Sequence, residues 1–241
     1  MNNRFRHLFS LKTLIHLLIL RPFVKLMFGI NIYGREHLDT TDNFIIIANH
    51  NSHLDILLLF YILPSRLISK THPLAAEEYF SRYRLLYKIV DYLFSPIWVA
   101  RDDQENRGKA LTDMKAILDK GHNVILFPEG SRGDPGKITP FKYGIGKLAE
   151  GYRNTPILPV FLFGPERALP KKYSIPVPIW MHIMINPPRV FSGSYLEATQ
   201  ALENTIRELD GTETVLYHCN KSKPKKKAFS VGFIGIDGSG K

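Results

Sequence analysis

An α/β fold, with a mixed, largely parallel β-sheet flanked by helices, is predicted by three features of this 241-residue sequence. Short apolar runs rich in β-branched residues recur along it. Helix-compatible stretches separate those runs. Polar loops containing glycine or proline follow several of them directly, as in sheets whose parallel strands are joined by crossover helices.

The first element is the apolar stretch from Leu8 to Ile30. It could be mistaken for a transmembrane helix, which needs roughly 20 mostly apolar residues. Lys12, His16, Arg21 and Lys25 interrupt it, and Pro22 divides it. A charge at mid-bilayer costs about 2.5–3.5 kcal/mol, which argues against a simple span. The spacing instead predicts an N-terminal apolar helical hairpin over residues 1–30, lying in or on a membrane interface with basic side chains snorkelling to headgroups. A buried helical hairpin fits the same pattern. No small-residue cleavage site follows, which argues against a signal peptide.

Phe44 to Ala48 reads as a buried strand, followed by the polar cluster Asn49-His50-Asn51-Ser52. Leu54 to Leu63 is helix-compatible and stops at Pro64. Ile97 to Ala100 is a second strand, Asp102 to Lys120 an amphipathic helix closed at Gly121, and Asn123 to Phe127 a third strand. That strand runs into Pro128-Glu129-Gly130-Ser131-Arg132-Gly133. Phe141 to Gly151 reads as helix, and Ile157 to Leu162 as a strand whose Pro159 suggests an edge or irregular position. Ile179 to Ile185 is a fifth strand, and Leu196 to Leu209 a closing helix.

The charge balance, 32 Lys+Arg against 22 Asp+Glu, leaves +10 and points to an anionic partner, a membrane surface or a nucleic acid. No nucleic-acid motif or interleaved aromatic-basic patch accompanies it, so the membrane is the expected partner. The single cysteine, Cys219, excludes an intramolecular disulfide and fits a reducing compartment.

His50 and Asp55 form a His-x4-Asp pair. With 9 His and 11 Asp in 241 residues, about 0.4 such pairs arise by chance. His37 and Asp42 share the spacing, but only His50 stands at the end of a buried strand, where α/β sheets place their ligand crevices. Ser52-His53-Leu54-Asp55 is also a capping-box pattern. Two readings are therefore open. Asp55 caps the helix and His50 is a loop histidine, or Asp55 holds one ring nitrogen while the other takes a proton. No Gly-x-Ser-x-Gly elbow and no His-Glu-x-x-His is present, so neither a serine triad nor a metal centre is expected. A base that activates a substrate hydroxyl is what remains.

In the loop after the third strand, Gly130 permits a sharp turn or a close approach to a ligand. Arg132 offers a planar fork of donors suited to phosphate, and Arg101 ends another strand. Glu129 holds Arg132 or binds a substrate hydroxyl on this reading. A surface Glu–Arg pair worth about 0–1 kcal/mol fits the same residues.

Taken together these blocks resemble the 1-acyl-glycerol-3-phosphate acyltransferase family. Asn49-His50-Asn51-Ser52-His53-Leu54-Asp55 is similar to its Asn-His-x-Ser-x-x-Asp block, and Trp98-Val99-Ala100-Arg101 to its second. Phe127 to Arg132 is similar to the third, with Ser131 where Thr is more usual. Pro140 to Gly144 and Leu158-Pro159-Val160 follow in the family's order. Relatives often carry Lys near Ala75 to Glu78, and a small polar residue at Gly133.

The resemblance implies transfer of an acyl group from acyl-CoA or acyl carrier protein to a lysophospholipid hydroxyl, without a covalent acyl-enzyme or a cofactor. His50 and Asp55 are the catalytic pair, and Arg101, Glu129, Gly130, Ser131 and Arg132 line the acceptor site. It implies 1-acyl-glycerol-3-phosphate as acceptor; the alternatives are an acyltransferase acting on another lysolipid, such as a lyso-aminolipid, or a non-enzymatic basic membrane- or nucleic-acid-binding protein. The expected place is the cytoplasmic face of a membrane, peripheral or monotopic. The catalytic domain is expected over residues 31–215 and a basic linker over 216–228. The tail over 229–241, Gly235-Ile236-Asp237-Gly238-Ser239-Gly240-Lys241, resembles the opening of a P-loop kinase domain.

Overall fold

The structure, a computed structural model, describes residues 10–221 except 40–41, 82, 101–103, 135 and 170–174. Arg101 and the glycine-rich tail therefore lie outside the described residues.

Seven strands form one sheet in the order β1-β7-β6-β2-β5-β3-β4. They are β1 Gly29–Tyr33, β2 Ile45–Ala48, β3 Thr71–Ala76, β4 Ile97–Val99, β5 Asn123–Leu126, β6 Ile157–Phe163 and β7 Trp180–Ile185. β2 to β6 run parallel; β7 runs antiparallel to β6, and β1 follows β7. The sheet is thus mixed and largely parallel, as expected.

Burial explains why β2 sits at the centre. Its four residues are fully buried, and successive side chains alternate between faces. Ile46 and Ala48 pack with helix α3 (Leu54–Ile62). Ile45 and Ile47 face the opposite layer, built from α7 (Gln104–Asp119), α8 (Gly144–Gly151) and α10 (Tyr195–Lys221). Each such residue contributes roughly 1.5–3 kcal/mol on full burial. Helix α10 continues to Lys221, into the segment expected as linker.

The structure corrects two expectations. First, β6 is interior, between β2 and β7, although it contains Pro159. The Pro159 carbonyl accepts from the Asn186 N–H, so its side of the backbone faces the gap between the end of β7 at Ile185 and the isolated bridge at Arg189. No ladder donor is needed there, which removes the usual objection to proline in a sheet.

Second, Leu11 to Met27 form one continuous helical run: α1 (Leu11–Ile15), a π-helical turn (His16–Leu20) and α2 (Arg21–Met27); residues 1–9 of the expected hairpin lie outside the described residues. Pro22 lies just past the π-helical turn and does not break the run. Lys12, His16 and Arg21 also turn inward, while Lys25 stays exposed. Lys12 Nζ donates to Ser95 Oγ at 3.1 Å, His16 Nε2 contacts the Leu93 carbonyl at 2.9 Å, and Arg21 donates to the Leu63 carbonyl. His16 stacks on Phe60 at 5.1 Å. Its burial pushes its pKa down to about 4, against the Leu93 contact and helped by Lys12 and Arg21, so it donates its N–H as a neutral ring near pH 7. Leu11, Leu18, Ile19 and Leu26 point outward instead.

β1, β3 and helix α6 (Arg84–Phe94) have no counterpart in the sequence reading. The N-terminal apolar stretch masks β1. Pro73 and His72 disguise β3.

Candidate active site

The carboxyl ends of the five parallel strands lie along one edge of the sheet, and the sequence-predicted residues among those described gather there. His50 follows β2, and Glu129 and Arg132 follow β5. After β6 comes the short helix α9 (Pro165–Ala168).

His50 Nδ1 donates to Asp55 Oδ2 at 2.9 Å. Asp55 is fully buried, and the same oxygen accepts the N–H groups of Asn51 and Ser52, each at 2.9 Å. Ser52 Oγ accepts from the Leu54 N–H at 3.2 Å and contacts the Leu169 carbonyl. Asp55 makes both sets of contacts: one carboxylate oxygen organises the helix start and holds the Nδ1 side of the imidazole. The pair leaves Nε2 with its lone pair available. The ring lies on Phe127, with centroids 4.1 Å apart and planes 17° apart.

The loop after β5 grips the His50 backbone. Glu129 Oε1 accepts the His50 N–H at 2.8 Å, and the His50 carbonyl accepts from the Gly133 N–H at 3.0 Å. Glu129 Oε2 accepts both the N–H and the hydroxyl of Thr139 at 2.8 Å. Glu129, expected to line the acceptor site, is only 2% exposed, and both its oxygens are engaged by protein. It positions His50. Gly130 adopts φ +76°, the left-handed conformation the turn requires, and is exposed with Ser131. Arg132 donates to His53 Nε2. Burial, then the neighbouring Arg132 and His50, push His53 down to about 4, so it is neutral near pH 7 and accepts this bond.

Asn49 adds a support the sequence reading did not single out. Its side chain donates to the Leu162 carbonyl at 2.9 Å and accepts from the Leu162 N–H at 2.7 Å, tying the end of β2 to β6.

The acyltransferase family model matches residues 29–162, the span that carries His50, Asp55, Glu129 and Arg132. This chain belongs to the acyltransferase family. The 1-acyl-sn-glycerol-3-phosphate acyltransferase of Limnanthes alba is 31% identical over 143 residues, 58% of this chain and 47% of its own length. The alpha enzyme of that name from Mus musculus is 27% identical over 194 residues, 76% of this chain and 63% of its own. The chain thus spans about half the length of the curated relatives it matches. The crystal structure of the 1-acyl-sn-glycerophosphate acyltransferase PlsC from Thermotoga maritima shares the fold: TM-score 0.71 at 23% identity, over 89% of this chain and 84% of that one. Within this acyltransferase-family chain, the matched span starts at β1, so the N-terminal helical run lies outside it.

Proposed function

We propose that this chain is an O-acyltransferase working at a membrane surface, moving a fatty acyl group from acyl-CoA or acyl carrier protein to the free hydroxyl of 1-acyl-glycerol-3-phosphate. The observation that carries the reading is the His50–Asp55 pair, with its buried carboxylate and free Nε2 at the sheet's carboxyl edge. The acceptor hydroxyl gives its proton to His50 Nε2 as its oxygen attacks the thioester carbonyl carbon. The tetrahedral intermediate then expels the thiolate, which takes the proton back from the imidazolium. A C–O bond forms and a C–S bond breaks. Asp55 stabilises the imidazolium that develops between the two steps. Arg132, with Ser131 beside it, binds the phosphate, and the family resemblance adds Arg101, which lies outside the described residues, to the same role.

The surface supports a membrane setting. Leu26 at the end of α2 is 88% exposed, Trp180 at the start of β7 71%, and Leu85 at the start of α6 74%. The strand directions bring all three to the edge that carries His50. Leu11, Leu18 and Ile19 extend the apolar surface along the helical run. No helix among the described residues is long and apolar enough to cross a membrane. The arrangement fits an enzyme seated on one leaflet, at the cytoplasmic face, with its crevice toward the lipid.

The test is thiol release from oleoyl-CoA by purified protein in detergent, with and without lysophosphatidic acid, beside His50→Ala. Acceptor-dependent release that disappears in the variant is expected. Failure with acyl-CoA and acyl carrier protein across several lysolipids sinks the reading.

A further inference from the structure

We infer that Lys142 is a second cation of the anion site, binding the phosphate of the acceptor beside Arg132; the inference rests on the function proposed above. Lys142 lies on the segment after the catalytic loop, and three short hydrogen bonds fix that segment. The Thr139 N–H reaches Glu129 Oε2 at 2.8 Å, the Phe141 N–H reaches Glu203 Oε2 at 2.9 Å, and the Lys142 N–H reaches the Pro128 carbonyl at 2.8 Å. From this anchored backbone the side chain folds back across Gly130. A methyl group placed on Gly130 would lie 2.8 Å from Cδ, Cε and Nζ of Lys142. The glycine therefore serves two ends, the left-handed turn and the room for this lysine.

A lysine normally extends into water, where its ammonium keeps its hydration and its rotamers stay free. Here the stem is laid on the loop that carries Arg132, while no carboxylate among the described residues pairs with the ammonium. The side chain is exposed, so it is open to a ligand. Arg132 is tied to His53 on the α3 side of the same loop, and Lys142 covers the loop at Gly130. Two cations supported by one short loop, which also grips His50, suit a phosphomonoester whose glycerol hydroxyl must reach Nε2.

Phosphate reaches this site from the acceptor or from the coenzyme A of the donor, and kinetics separate the two. With Lys142→Gln, KM for lysophosphatidic acid is expected to rise roughly tenfold or more. Meanwhile kcat, KM for oleoyl-CoA and any turnover of monoacylglycerol should stay within about twofold, and Lys142→Arg should recover most of the loss. A rise in KM for oleoyl-CoA alone would overturn the assignment to the acceptor, and unchanged constants for both would overturn the site. Calorimetric titration of lysophosphatidic acid in detergent micelles into His50→Ala, with and without Lys142→Gln, needs no turnover. Weaker binding there supports the inference even if the proposed reaction fails; equal binding overturns it. Thermal melting of both Lys142 variants should match the unsubstituted protein.

Discussion

His50 is held at four points: the ring N–H by Asp55, the ring face by Phe127, the backbone N–H by Glu129 and the carbonyl by the Gly133 N–H. Losing any of these moves or retautomerises the base without touching the substrate. Asp55→Asn should lower kcat by roughly 10²–10⁴ with KM nearly unchanged, because a neutral amide neither fixes the tautomer nor stabilises the imidazolium. Glu129→Gln should lower kcat by roughly tenfold or more, again with KM for lysophosphatidic acid little changed. A large KM effect with kcat intact would return Glu129 to the role of acceptor ligand. At this scale the sequence disclosed only what is local. His50 and Asp55 are joined by one loop and one helical turn, so their spacing revealed them. The decoy Asp42 accepts from Arg66 on the surface. Glu129 meets His50 from 79 residues away, and Arg132 meets His53 across the same separation; such pairings arise only when strands become neighbours.

At the scale of elements, polar side chains tie together segments distant in the sequence. Asn49 replaces a ladder partner for Leu162 with both halves of its amide. Asn49→Ala leaves a buried N–H and a buried C=O unpaired, at roughly 1–3 kcal/mol each. The urea midpoint should fall accordingly, with the slope of the transition unchanged. The N-terminal helical run is docked through Lys12, His16 and Arg21. His16 has a folded pKa near 4 against 6.5 for an ordinary histidine, so between these values the unfolded segment binds more protons. Docking is therefore fully stable above about pH 6.5 and weakens as pH falls toward 4. Limited proteolysis at pH 5 and pH 7.5 should show earlier cleavage in the run at pH 5. His16→Phe, which keeps a ring against Phe60 and cannot titrate, should lose that difference.

Across the whole molecule, the core and the apolar surface are separate structures. Two buried layers sandwich β2, whereas Leu26, Leu85 and Trp180 share the catalytic edge. Each of these three contributes roughly 1.5–3 kcal/mol if buried in lipid. The triple change Leu26→Asp, Leu85→Asp, Trp180→Asp should abolish sedimentation with anionic vesicles while leaving thiol release in detergent within about threefold. Retained vesicle binding would move the membrane face elsewhere.

The sequence by itself determined the alternation of strands and helices, the strand that ends at His50, and the local His50–Asp55 pair. Those signals are periodicity, turn chemistry and short spacing, which a chain carries before it folds. Only the tertiary structure decided that Pro159 sits in an interior strand, that Lys12 and His16 face inward and Leu18 and Leu26 outward, and that Glu129 grips the base. Each depends on which distant backbone groups are left unpaired and which charges find a partner once the sheet closes, and a linear pattern does not record that balance.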